Sequence, residues 1–290
     1  VALPVNPPGS SLGRENAVLS GTGKRYFVPD FEGCLSLKAV LSGAAVWEAG
    51  GRTFRVNETS YLLLNDRQRY SITIESHRPV RTFCLFFERG YVEDIHRSTV
   101  SAAGLLLDSP EAAVPGQTGY FEALRPTSAA VRGRLQGFAA KLPLMSRMEW
   151  DERFLEFAEM LVEEHGQAAL AAAKLPAMRA ATRAELYRRL LRGRDALLSS
   201  TESRLKLKTV AREAALSPYH FHRSFLRAFG ETPHRYLVRR RLLRAKGLLL
   251  EHDRSVTEVC VECGFESLPS FSRLFRAQFG TPPSQIRKIR

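Results

Sequence analysis

The sequence predicts an α+β chain of two domains. An N-terminal antiparallel β barrel with packed helices is followed by an all-α domain holding two helix-turn-helix units. Three observations carry that prediction. The segment Ser217–Gly230, SPYHFHRSFLRAFG, returns about fifty residues later as Ser267–Gly280, SLPSFSRLFRAQFG. Between Lys24 and Arg89, short runs of alternating apolar and polar residues are separated by turn residues. The net charge of +13 sits at one end: residues 181–290 hold 23 Lys+Arg against 10 Asp+Glu, whereas residues 1–180 hold 20 of each.

In chain order, residues 1–23 are rich in Pro, Gly, Ser and Asn and read as a flexible extended arm. Residues 24–166 form the first domain. Its strands are expected at Cys34–Leu41, Ala44–Glu48, Arg52–Val56, Ser60–Leu64, Tyr70–Glu75 and Val80–Glu88. Gly50-Gly51 marks a hairpin, and His77-Arg78-Pro79 a turn. Short strands at this spacing argue for a small barrel or jelly roll. Trp47, Tyr61, Phe83 and Phe86 are candidate walls for an effector pocket, and ordinary core positions suit each of them equally. The first 120 residues contain only His77 and His96, unpaired, which disfavours a metal site. Neither a nucleophile motif nor a phosphate loop supports an enzyme, so no catalytic residue and no cofactor are expected.

Glu93–Pro126, with the apolar run Ala102–Leu107, reads as irregular connection with a helix near its start. Two helices follow. Ala129–Leu142 places Val131, Leu135, Phe138 and Leu142 on one face, and Glu149–His165 places Trp150, Phe154, Phe157 and Leu161 on one face. An antiparallel pair packed on the barrel is the simplest arrangement. Residues 167–182, Ala-rich and broken by Pro176, read as the linker, part helical.

Residues 183–290 form the basic domain, with helix-turn-helix units at about 206–229 and 256–279. In each repeat a Ser opens the helix as a cap. Phe221, Phe225 and Phe229, or Phe271, Phe275 and Phe279, make an i, i+4, i+8 stripe, and Gly230 or Gly280 stops it. Between the units, Pro233–Glu251 is one continuous helical pattern. A basic domain beside a neutral one is the footprint of a polyanion binder with a separate second function, and double-stranded DNA fits better than a membrane surface. Cys34, Cys84, Cys260 and Cys263 form no disulfide framework, and the Cys260-x-x-Cys263 spacing, without a second pair, reads as core packing. No apolar run reaches about 18 residues, and the N-terminus lacks a signal-like pattern, so a cytoplasmic location is expected.

At these residues the chain resembles the AraC/XylS transcription regulators. The second unit's pattern appears as Val259-Cys260, Gly264-Phe265, Phe271-Ser272-Arg273-Leu274-Phe275 and Gly280-Thr281-Pro282-Pro283. The resemblance covers about the last hundred and ten residues. It implies a sequence-specific DNA-binding regulator, more often an activator, with RNA polymerase as a partner. The N-terminal barrel is similar to the cupin-type sensory domain of such regulators, which implies a small-molecule effector. The helix face of Trp150, Phe154, Phe157 and Leu161 is implied as the homodimer seam, with packing onto the chain's own barrel as the alternative. Placed on the family pattern, Tyr219, His222 and Arg223 face bases in the first unit. Leu268, Pro269, Ser270, Ser272 and Arg273 do so in the second, while Arg227, Arg239, Arg240 and Arg276 neighbour phosphates. The rival readings are a regulator controlled by abundance or a protein partner, and a cupin-type enzyme with a DNA-targeting domain.

Overall fold

A computed structural model of the chain describes residues 3–100, 123–177, 179–199, 206–251 and 254–286. The chain divides into two compact units, Val1–Leu170 and Ala171–Arg290.

In the first unit, β1 (Ala17–Gly33), β2 (Ser36–Ser42), β3 (Ala44–Ala49), β4 (Arg52–Asn57), β5 (Ser60–Leu64), β6 (Gln68–Phe86) and β7 (Ala123–Pro126) make one antiparallel sheet. Its order is β4-β3-β6-β2-β5-β7, with β1 added on β6. The long β6 organises the sheet. It pairs with β1 from Ala17↔Phe86 to Gly33↔Gln68, and with β3 and β2 at Val46↔Thr73 and Ser36↔Phe86. Strand β4 also lies against β2 and β5, which curls the sheet into a nearly closed barrel. The β3–β4 hairpin turns at Gly50 and Gly51, whose φ values of 55° and 70° are those a two-residue hairpin turn requires.

Side chains alternate across this sheet, so strand parity decides what each residue meets. Leu37, Ala39, Tyr61, Leu63, Phe83 and Leu85 join a core shared with the helices. Lys38, Cys84 and Phe86, one position away, face a cavity on the other side. Among the described residues, three α-helices follow in this unit: α1 (Tyr91–Val100), α2 (Ala129–Lys141) and α3 (Arg147–Ala173). Helix α2 starts where Ser128 Oγ accepts from the Val131 N–H. Phe138 on α2 meets Phe83 at 5.3 Å between ring centroids and Trp150 at 5.7 Å, and Phe154 meets Phe87 at 5.6 Å. Each such buried ring contributes about 1.5–3 kcal/mol by leaving water.

Several expectations are corrected here. Trp150, Phe154, Phe157 and Leu161 are only 0–1 % exposed, because their stripe of α3 seals the barrel of the same chain. A side chain with no accessible surface cannot form a dimer seam. Residues 3–23 of the expected arm are not free: β1 begins at Ala17, Val18 N–H donates to Pro4 O at 3.0 Å, and Asn6 Oδ1 accepts from Ser20 N–H at 2.8 Å. The sequence hides β1 behind Gly21, Gly23 and Pro29, which an edge strand tolerates. The turn expected at His77-Arg78-Pro79 is a shift of register within β6, between Arg25↔Glu75 and Gly23↔Val80. Helix α3 enters the part-helical linker segment and ends at Ala173, since alanine favours helix and Pro176 stops it. The run Ala102–Leu107 lies outside the described residues. Among the described residues, no helix is long and apolar enough to cross a membrane.

The second unit is all helix: α4 (Ala180–Ser199), α5 (Leu207–Glu213), α6 (Pro218–Phe229), α7 (Pro233–Glu251), α8 (Val256–Glu262) and α9 (Leu268–Phe279). Helices α5–α6 and α8–α9 are the two helix-turn-helix units. Helix α7, 19 residues and about 28 Å long, joins them. Cys260 and Cys263 are buried with Phe271 and Phe275 in the core of the second unit, in the packing role the sequence suggests.

Candidate nucleic-acid interface and effector cavity

The two helix-turn-helix units repeat bond for bond. In the first turn Ala214 N–H donates to Val210 O at 3.1 Å and Leu216 N–H to Ala211 O at 2.9 Å. In the second, Cys263 N–H donates to Val259 O and Phe265 N–H to Cys260 O, both at 3.0 Å. Ser217 and Ser267 cap α6 and α9 by accepting from the N–H groups of His220 and Ser270. Gly230 and Gly280 end these helices in the left-handed region, at φ 73° and 75°. The phenylalanine stripes stack alike, Phe225 on Phe229 at 4.5 Å and Phe275 on Phe279 at 4.6 Å.

One position breaks the equivalence. The left-handed turn residue is Gly264 in the second unit, φ 74°, but Ala215 in the first, φ 51°. A Cβ in that region costs about 1–2 kcal/mol. Ala215→Gly is therefore expected to stabilise the chain by about 0.5–1 kcal/mol, after the extra freedom of the unfolded glycine is subtracted. Urea denaturation of the full-length protein checks this, and an unchanged or lower midpoint would contradict the strain.

With both stripes buried, the opposite faces of α6 and α9 are open to solvent. Tyr219 is 75 % exposed, and His222, Arg223 and Arg227 are exposed beside it. On α9, Leu268, Ser270, Arg273 and Arg276 are exposed and Ser272 is half-buried. Arg223 and Arg273 occupy the same place in the two repeats. Among the described residues neither makes an ion pair or hydrogen bond within the chain, so both guanidinium forks are available.

The arginines of α7 differ. Arg240, expected beside a phosphate, is 3 % exposed: its position on the helix turns inward. Arg239 is held by Glu231 at 2.5 Å and stacks on Tyr236, so its charge is already matched. Arg240 therefore cannot reach a phosphate, and Arg239 would have to leave Glu231 to do so. Sequence reasoning missed what α7 does with its charge. Arg241 donates to Gly264 O at 2.9 Å, and Arg244 to the backbone and carboxylate of Glu262, each at 3.1 Å. Arg254 also pairs with Glu262. These bonds fasten α7 to the turn of the second unit. The signal was the closely spaced run RRRLLR at Arg239–Arg244, too dense for one solvated face.

The barrel holds a partly open cavity of about 620 Å³. Trp47 and Phe86, two of the four aromatic candidates, line it. Tyr61 and Phe83 do not, since their strand parity turns them to the helix side, where Tyr61 Oη donates to Glu164. Asn6, Pro7, Gly9 and Leu12 from the N-terminal segment form part of the wall. Lys38 also lines the cavity, and the sequence held a sign of it: a lysine in the apolar run CLSLKAVL.

A family model described as a helix-turn-helix domain matches residues 210–289. The transcriptional activator RhaS of Salmonella arizonae is 43% identical over 83 residues, which are 29% of this chain and 30% of that protein. The chain thus matches less than a third of the length of this curated relative. The DNA-binding domain of AdpA, solved with a target DNA, is 32% identical over 34% of this chain and 90% of that one, with a TM-score of 0.33. ToxT of Vibrio cholerae O395 aligns over 95% of this chain and 98% of its own, at 13% identity and a TM-score of 0.37. The sequence matches fall on the residues that build the doubled unit, and it is this C-terminal segment that is similar to the helix-turn-helix domain of such regulators.

Proposed function

We propose that this protein is a sequence-specific DNA-binding transcription regulator whose N-terminal cavity receives a small-molecule effector. The observation that carries the reading is the equivalence of α6 and α9: two capped helices on buried stripes, each offering an unpaired arginine at the same position. A guanidinium so placed can pair with the O6 and N7 of a guanine in the major groove. With α7 as spacer, the two helices could read blocks about 34 Å apart, one helical turn of DNA. Tyr219 and His222 are assigned to the first block and Leu268, Ser270 and Ser272 to the second, Leu268 contributing apolar contact. Arg227 and Arg276, exposed one turn further along each helix, are assigned to phosphates. Activation is the sign we assign, in keeping with RhaS, and RNA polymerase is the partner this entails. Any homodimer must use a surface other than the Trp150–Leu161 stripe.

Selection of bound sequences from a random duplex pool by the full-length protein tests this reading. A split motif with two blocks about one turn apart is expected. Binding that is salt-sensitive but without a motif would reduce the basic unit to a nonspecific anchor. On the selected site, Arg223→Ala is expected to cost about 1–3 kcal/mol and relax preference at one base pair. Equal weakening on every sequence would make Arg223 a phosphate contact instead.

A further inference from the structure

The cavity of the barrel carries a charge that no carboxylate among the described residues answers. Lys38 is 1 % exposed, in the middle of β2, and its side chain borders the cavity. Its ammonium donates to Tyr70 Oη at 2.9 Å and lies 3.6 Å from the centroid of the Phe86 ring and 4.4 Å from that of Tyr70. Among the described residues, no carboxylate pairs with it, and neither Asp nor Glu lines the cavity. The other charged residue of the lining is Arg25, exposed on β1, which also has no ion pair among the described residues. Desolvation lowers the pKa of Lys38 from 10.5 to about 8. Ring faces and a phenol soften the cost of burying an ammonium, yet they supply no negative charge.

A buried cation without an anion is costly, and a chain that needed only core packing would place an aliphatic residue there. The rest of the wall explains what the charge is for. Trp47, Phe31, Ile72 and Ile74 present an apolar surface, and a volume near 620 Å³ is in the range of sites for drug-sized molecules. A cationic ligand would meet two positive charges. A neutral ligand would leave the buried ammonium without a counter-charge. Taking the cavity as the effector site, as the regulator reading does, we propose that its effector is an apolar organic carboxylate. Its carboxylate group pairs with Lys38 at the inner end, and its body lies on the aromatic and aliphatic wall. Arg25 draws the anion in from the exposed side.

The test uses the full-length protein and three probes of one shape: 4-phenylbutyrate, 4-phenylbutanamide and 4-phenylbutylamine. Binding is read by tryptophan fluorescence, since Trp47 lines the cavity, and by the shift of the thermal midpoint. The acid is expected to bind about 10–100-fold more tightly than the amide, as a charge-assisted pair does, and the amine least. Lys38→Met keeps the volume, removes the buried charge and is expected to lower the acid-to-amide ratio by about tenfold or more, leaving the smaller part that Arg25 supplies. Arg25→Ala, on the exposed strand, is expected to reduce the ratio by a smaller factor without touching the core, and serves if Lys38→Met does not fold. Equal binding of acid and amide, preference for the amine, no binding by any probe, or an acid preference undiminished in Lys38→Met would each overturn the proposal. The duplex selection keeps the two readings apart. A split DNA motif without acid preference removes the ligand class alone, and acid preference without a motif removes the regulator alone.

Discussion

Phe157→Asp is expected to unfold the N-terminal unit. The Phe157 ring has no accessible surface and stacks on Phe138 with 6.3 Å between centroids and 23° between planes. Removing such a ring costs about 3–5 kcal/mol in lost transfer and residual cavity. The carboxylate must then be buried without a partner or carry a strongly raised pKa, which adds several kcal/mol more. That sum is comparable with the whole stability of a typical domain, about 5–15 kcal/mol. Circular dichroism during urea titration should show the barrel's cooperative transition lost. Leu155→Asp is the control. Leu155 lies on the same helix but is 42 % exposed, and its substitution should change stability by no more than about 0.5 kcal/mol. A Phe157→Asp protein that stayed folded while its mass in sedimentation halved would restore the stripe as a dimer seam.

Gly193→Leu is expected to disable the first recognition helix. Gly193 lies on α4, where even a Cβ would stand 2.4 Å from Cε2 and 2.7 Å from Cζ of Phe221. Phe221 is itself fully buried and packs on Phe225 at 5.4 Å, so its ring has no room to withdraw. Overpacking of this kind costs about 1–3 kcal/mol, and a four-carbon side chain pressed against a ring belongs at or above the upper end. Helix α6 must shift, and Tyr219, His222 and Arg223 shift with it. On the selected duplex, the block read by α6 should lose its influence on affinity while the block read by α9 keeps it. Wild-type stability in urea and wild-type preference at both blocks would show that α4 and α6 do not touch as closely as the ring contact requires.

These two residues mark how far the sequence was legible. The helix-turn-helix units could be read because their signals are local. Ser217 and Ser267 cap, Gly230 and Gly280 stop, and phenylalanines at four-residue spacing make the stripe, all within a few residues of one another. The strands from β2 to β5 could be read for the same reason, since alternation and Gly50-Gly51 are short-range features. Strand β1 was obscured because its glycines and Pro29 are excused only by its edge position, and an edge is a property of the whole sheet. The turn expected at Pro79 became a register shift because β1 pairs with β6 on either side of it.

By itself the sequence determined that this protein has a basic doubled helix-turn-helix behind a neutral, strand-rich domain. Composition, caps and periodicity act along the chain and need no partner to be recognised. Only the tertiary structure decided which side of each element looks where. It put Phe86 on the cavity and Phe83 against the helices, Arg223 in solvent and Arg240 inside, the α3 stripe on its own barrel, and Lys38 alone in an apolar cavity. The physical reason is that periodicity marks the apolar face of a strand or helix without naming what covers it. Closure of the sheet and packing of the helices choose that cover, and they depend on residues far apart in the chain.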